Sequence, residues 1–209
     1  MGIHVPARGP RPRAFSTTVL PSRRSGLKMS QHRFTLRREW ARLDLHRSEY
    51  ATVNFVMMNP STADDTHDDP TIRKCVGFAK RWGCAGLTVT NLWAYRATDP
   101  KELKRVARSD HSLAVGHGEN VYALKTEADA ADIVVVAWGT HGAFQGRADA
   151  VLGSVLADMD LYCIGKTKDG HPLHPCMAGY TDAPVMFRAK CQQSVSTCHD
   201  TTSYVLTRS

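Results

Sequence analysis

Val53-Asn54-Phe55-Val56-Met57-Met58 is a short, nearly continuous apolar run that stops abruptly at Asn59-Pro60-Ser61. A run that is apolar at both parities reads as a strand buried on both faces. A loop crowded with acids follows from Thr62 to Asp68. Asp69 is placed to cap a helix whose first residue is Pro70: its carboxylate can accept first-turn N–H groups, and proline there forfeits no hydrogen bond. Ile72, Cys75, Val76, Ala79 and Trp82 then recur at helical spacing, and Gly83 can end the helix.

The same alternation continues outward. Leu87-Thr88-Val89-Thr90-Asn91-Leu92 reads as a second strand, and Ile133-Val134-Val135-Val136 as the most apolar of the set. Helices are expected at Pro100 to Val106, at Glu119 to Ala131 and, from Ala148, Val151, Leu152, Val155 and Leu156, at about residues 143–158. Leu161 to Ile164 is a last strand, and Arg33 to Trp40 alternates like an edge strand. Strands alternating with helices predict an α/β fold, a three-layer sandwich with a mainly parallel central sheet. Ligands of such sheets bind at the carboxyl ends of the strands. Asn59-Pro60-Ser61, Asn91, Trp138-Gly139 and a His171-Pro172-Leu173-His174-Pro175 segment all fall at such ends.

The chain has 209 residues, 42% hydrophobic and 22% charged, which suits one folded domain. Its formal charge of +7 is misleading. Residues 1–28 hold six basic residues (Arg8, Arg11, Arg13, Arg23, Arg24 and Lys28) and no acid, so the rest is almost neutral. That leader lacks apolar periodicity and reads as disordered, with Met29 the expected natural start and targeting or a basic arm as alternatives. Residues 29–177 are expected to form the single domain, and residues 178–209 an atypical tail without a clear element. Within the domain, residues 71–108 carry nine basic and two acidic residues, a local excess that could face phosphates. No stretch approaches the ~18 apolar residues of a membrane span. No Cys-x-x-Cys pair occurs among the six cysteines, which points to a reducing cytoplasm and no zinc ribbon. P-loop, dinucleotide, serine-hydrolase and zincin motifs are absent, and no cofactor is expected.

Phe55-Val56-Met57-Met58-Asn59-Pro60-Ser61-Thr62-Ala63-Asp64 with Asp68-Asp69-Pro70-Thr71-Ile72-Arg73 resembles the signature of a bacterial and phage domain-of-unknown-function family, family 1643. Asn91-Leu92-Trp93-Ala94-Tyr95-Arg96-Ala97-Thr98-Asp99-Pro100, Ala137-Trp138-Gly139 and the segment from Gly165 to Pro175 extend that resemblance over about residues 32–177. More distantly, the order of motifs is similar to that of the uracil-DNA glycosylase superfamily. Asn59-Pro60-Ser61 resembles its Asn-Pro-Gly water-positioning motif. Thr90-Asn91-Leu92 with Arg96 and Pro100 resembles its Thr-Asn-x-x-x-x-Arg-Pro segment, and His174-Pro175 its His-Pro-Ser motif. Ser61 stands where glycine is usual, and the Ser-Pro that should follow His-Pro is missing.

The resemblance implies a uracil-DNA-glycosylase-like fold and hydrolysis of an N-glycosidic bond, with DNA or a nucleotide as partner. Such a reaction needs a held water and stabilisation of an anionic leaving base. Asn59 is the candidate for the water, His174 for the base anion, and Asp64 for a general base. Ser61, Asn91, Trp93 and His171 are candidates for contact with the base, and Arg73, Arg81 and Arg96 for phosphate. Two other readings stand beside this one. The crevice could bind nucleic acid or a nucleotide without catalysis, or Asp64, Asp65, His67, Asp68 and Asp69 could hold a divalent cation for phosphoester hydrolysis.

Overall fold

A computed structural model describes residues 31–40, 51–61 and 68–190. The leader, the tail from residue 191, and Asp64, Asp65 and His67 lie outside the described residues. The apolar run around Phe55 forms strand β2 (Thr52–Met57), every residue of it buried. Helix α1 (Pro70–Arg81) follows, and then β3 (Gly86–Asn91), so β2, α1 and β3 make one parallel crossover. Helices α2 (Pro100–Ser109), α3 (His111–Val115) and α4 (His117–Ala130) lead to β4 (Ile133–Val136). Helix α5 (Arg147–Gly153) leads to β5 (Leu161–Cys163). An edge strand at each end, β1 (Leu36–Glu39) and β6 (Val185–Arg188), completes a six-stranded sheet in the order β1-β3-β2-β4-β5-β6.

The sheet is mixed. β3, β2, β4 and β5 run parallel, whereas β1 pairs antiparallel with β3 and β6 antiparallel with β5. Side chains alternate across it, which separates two cores. Val53, Phe55 and Met57 of β2 join Leu87 and Val89 of β3 against Ile72, Cys75, Phe78 and Ala79 of α1. Val56, Val134 and Val136 point the other way, to Leu103, Val106, Leu124 and Val151 of α2, α4 and α5. Burial on both faces is why the strand sequences are continuously apolar. Each large aliphatic or aromatic side chain so buried contributes about 1.5–3 kcal/mol. Asn54, a polar residue inside β2, is fully buried but satisfied: its amide donates to Thr88 Oγ1 at 2.9 Å and its carbonyl accepts from Thr90 Oγ1 at 3.2 Å.

The sequence reading needs three corrections. The single helix expected near residues 143–158 is a 3₁₀ segment, Thr140–Gly146, followed by α5; Gln145 (φ 54°) and Gly146 (φ 64°) both adopt left-handed backbone and break the helix. Helix α3 was not foreseen, being little more than one turn, capped by Asp110 Oδ1 on Leu113 N at 2.8 Å. Past Met177, where no element is expected, β6 adds to the sheet. Tyr180 lies on Phe78 with ring centres 4.9 Å apart, and Trp82 Nε1 donates to Thr181 O at 3.0 Å.

Burial raises the thiol of Cys75 far above its ordinary range, with Asp69 adding to the effect, and raises that of Cys84 from 9.0 to about 12. Their neutral forms belong to the folded state, so their contribution is complete below the ordinary thiol range and is lost progressively as pH rises from that range through the raised folded-state values. The urea midpoint should therefore fall as pH rises from about 9 toward about 12, and Cys75→Ala/Cys84→Ala should flatten that fall despite lower overall stability. An equally steep fall in the double variant would contradict this account.

Candidate active site

The carboxyl ends of β2, β3 and β4 open into a cavity of about 550 Å³. β2 leaves the sheet through Met58 and Asn59, and its pairing with β3 persists past the strand ends: Leu92 N donates to Met57 O at 2.9 Å and Trp93 N to Met58 O at 3.0 Å. Asn59 then ties two loops together. Its Nδ2 donates to Pro60 O at 3.0 Å and to Ala97 O at 2.7 Å. Both amide hydrogens are thereby used, and the carbonyl partners fix which end of the side chain is nitrogen. Oδ1 is left as an acceptor on a residue that lines the cavity.

Asp69 joins the strand exit to the helix start. One carboxylate oxygen accepts from Ile72 N at 2.8 Å as the cap of α1, and the other accepts from the Ser61 hydroxyl. Ser61 and Asp69 both line the cavity. At the end of β4, Gly139 takes φ 69°, ψ −171°, a region that is essentially glycine's alone. A Cβ there would lie 3.4 Å from the Cβ of His174. This turn brings Trp138, Thr140 and His141 to the wall, with His174 beside them.

His174 precedes Pro175 and has the extended backbone (φ −73°, ψ 141°) that a following proline imposes. Its Nδ1 accepts from Cys176 N at 3.3 Å, which assigns the proton of the neutral ring to Nε2. Burial lowers the His174 pKa below 6.5; Asp69 opposes that shift and His141 adds to it. The ring is therefore a neutral donor near pH 7. Asn91, at the end of β3, is 1% exposed and lines the same cavity. Its main-chain oxygen accepts from Asn120 Nδ2 at 3.0 Å, but its own Nδ2 has no hydrogen-bond partner among the described residues. A buried amide without a partner costs about 1–3 kcal/mol, a debt that a ligand acceptor would offset.

The cavity thus brings together Asn59, Ser61, Asn91 and His174. Trp93 is placed elsewhere: it is fully buried, edge-on to His111, and does not line the cavity, so it has no free face for a base. His171 belongs to the hairpin before His174, where its N–H donates to Thr167 Oγ1 at 3.2 Å, and it too lies off the cavity. Arg73 is exposed and donates to Asp68 O at 2.6 Å; Arg81 sits over the Tyr180 ring at 4.9 Å; Arg96 is half-buried. None of the three lines the cavity, and Asp64 lies outside the described residues. Asp68 is paired with Arg38 at 2.7 Å, and no group of three His, Cys, Asp or Glu among the described residues is arranged to hold a metal.

Arg33 and His141, which the sequence does not single out, line the cavity, as does Asp69, expected both as the cap of α1 and as one member of an acidic cluster that could hold a cation. For Asp69 the sequence signals are the Asp69-Pro70 capping pattern and the acidic cluster that precedes it.

The family described as "Protein of unknown function (DUF1643)" matches residues 33–176. The chain belongs to this family. Its match runs from the segment before β1 to the 3₁₀ turn after His174, so it takes in the described cavity-lining residues except Met177. No curated protein and no solved structure matches the chain. Among the described residues, no helix is long and apolar enough to cross a membrane.

The electrostatic assignment of His174 can be read by NMR titration. Its midpoint should lie below 6.5, fall further in Asp69→Asn and rise in His141→Gln. A midpoint indifferent to both substitutions would contradict the arrangement.

Proposed function

We propose that this cavity hydrolyses an N-glycosidic bond, releasing a nucleobase from DNA or from a nucleotide, in the manner of a uracil-DNA-glycosylase-like protein. The observation that carries the reading is the convergence of an acceptor at Asn59 Oδ1, an unpartnered donor at Asn91 Nδ2 and a ring donor at His174 on one cavity. The volume is in the range of small-ligand sites, about 300–1,000 Å³.

Each group has a distinct task. Asn59 Oδ1 accepts a hydrogen bond from a water, leaving that water's lone pair free to attack the sugar carbon. An amide is a weak base, so most of the barrier reduction falls on the leaving group. There, the His174 Nε2–H donates to the oxygen or nitrogen on which negative charge collects as the glycosidic bond breaks. A neutral ring suffices because the donor is fixed before the charge develops. Asn91 Nδ2 donates to an acceptor on the base edge, which stabilises that base's binding and resolves the amide's own deficit. Bond cleavage leaves the base as an anion, water adds to the cationic sugar, and the water's proton goes to solvent or to the base. The motif resemblance supports the assignment of Asn59 and His174.

The experiment is incubation with single-stranded and duplex oligonucleotides containing uracil, mismatched and damaged bases, followed by alkali. Strand scission at abasic sites is expected with at least one substrate. Asn59→Ala and His174→Ala should each slow it by about 10²–10³-fold. No scission on any substrate, or scission unchanged in both variants, would overturn the reading.

A further inference from the structure

Helix α2 divides into two unlike faces. At about 100° per residue, Lys101, Lys104, Arg105 and Arg108 fall within one stripe about 100° wide. Leu103, Val106 and Ala107 lie opposite and are buried in the core. Lys101, Arg105 and Arg108 are exposed and Lys104 is half-buried. The helix's one acid within Pro100–Ser109, Glu102, lies off the stripe. None of the four cations makes an ion pair among the described residues. Like charges three and four residues apart destabilise a helix. The stripe therefore works against α2 in isolation, and a polyanion would relieve it.

The stripe is also continuous with the cavity. Pro100, immediately before Lys101, lines the cavity with Ala97 and Thr98. Lys104 Nζ and the Arg108 guanidinium lie 5.5 Å and 5.7 Å from the ring centre of Phe144. Phe144 belongs to the Thr140–Gly146 segment, which supplies Thr140 and His141 to the cavity wall. Lys104 and Arg108 are thus braced against the loop that shapes the site. From Lys101 to Arg108 the helix rises about 10 Å, the axial length of about three phosphates on one strand.

We propose that this face of α2 seats the phosphodiester backbone of the DNA strand whose base occupies the cavity. The inference rests on reading that cavity as a nucleobase site, and it selects a polynucleotide over a free nucleotide. Three neutralised phosphates would account for a slope of about −2 in log affinity against log salt for single-stranded DNA.

The test is fluorescence anisotropy with a labelled single-stranded DNA 15-mer, using Asn59→Ala protein so that the probe is not consumed. Adding Lys101→Gln, Lys104→Gln, Arg105→Gln and Arg108→Gln should weaken binding at least about ten-fold at low salt and remove about 2 from the slope. Arg105→Gln/Arg108→Gln should give about half that change and keeps the result readable where the fourfold variant folds poorly. Lys125→Gln/Lys190→Gln, which removes two cations elsewhere, should change neither quantity. Unchanged affinity and slope in the α2 variants, an equal loss in the Lys125/Lys190 control, or no salt-dependent binding by the parent protein would each overturn the proposal. Abasic-site formation with binding indifferent to the α2 changes would remove the seat and leave the glycosidic reading. Binding lost with the stripe, with no abasic sites formed by the wild-type protein, would do the reverse.

Discussion

The carboxylate of Asp69 is the constraint on which the rest of the site depends. One oxygen caps α1 through Ile72 N and the other holds the Ser61 hydroxyl. A helix leaves its first N–H groups without intrahelical partners, and a capping carboxylate satisfies one of them while its charge favours the helix N-terminus. Here the same side chain also reaches back to the exit of β2. The exit of β2 and the start of α1 are thereby tied together, and Asn59 and Ser61 are held at the mouth of the sheet. The negative charge left there acts on His174, opposing the downward pull of burial and of His141.

The cavity walls are unequal in how well their polar groups are satisfied, and that inequality has chemical content. Asn59 spends both donors on Pro60 O and Ala97 O, which fixes its orientation and leaves only an acceptor. Asn91 has its main chain engaged by Asn120 and its amide donor without a partner. A side chain that is already held loses little freedom when it binds, whereas an unpartnered buried donor gains most from a ligand acceptor. In the N-glycosidic reading proposed above, the rigid acceptor serves the water and the unsatisfied donor serves the base. Gly139, in a backbone conformation that glycine readily adopts, packs against His174: a Cβ there would lie 3.4 Å from the His174 Cβ.

Much of this was legible from local chemistry. Val53 to Met58, the Asp69-Pro70 cap and Ile133 to Val136 identify elements because burial on two faces and helix capping leave direct marks on sequence. The strand ends then pointed to Asn59, Asn91 and His174. Features made by tertiary contact were not legible. Nothing near His141 in sequence reveals that Gly139 turns it toward His174. Arg33 reaches the cavity because its segment docks on the chain after β3, Arg33 N donating to Ala94 O at 3.0 Å. Trp93 looked available for stacking, but it leaves the end of β3 on the side of the α2–α4 core and is consumed by packing. Of the two antiparallel edges, β1 is marked by the alternation of Arg33 to Trp40, whereas β6 was hidden: it is four residues long and half-exposed, with no periodicity strong enough to announce it.

The side-chain amide of Asn91 offers the most direct test that the cavity receives a nucleobase. Its ¹⁵N–¹H₂ resonances can be followed while free nucleobases are titrated into labelled protein, with Asn91→Leu supplying the assignment. The account predicts saturable, downfield movement of these resonances with at least one nucleobase bearing a carbonyl acceptor. Resonances that stay fixed for every nucleobase up to its solubility limit would contradict it.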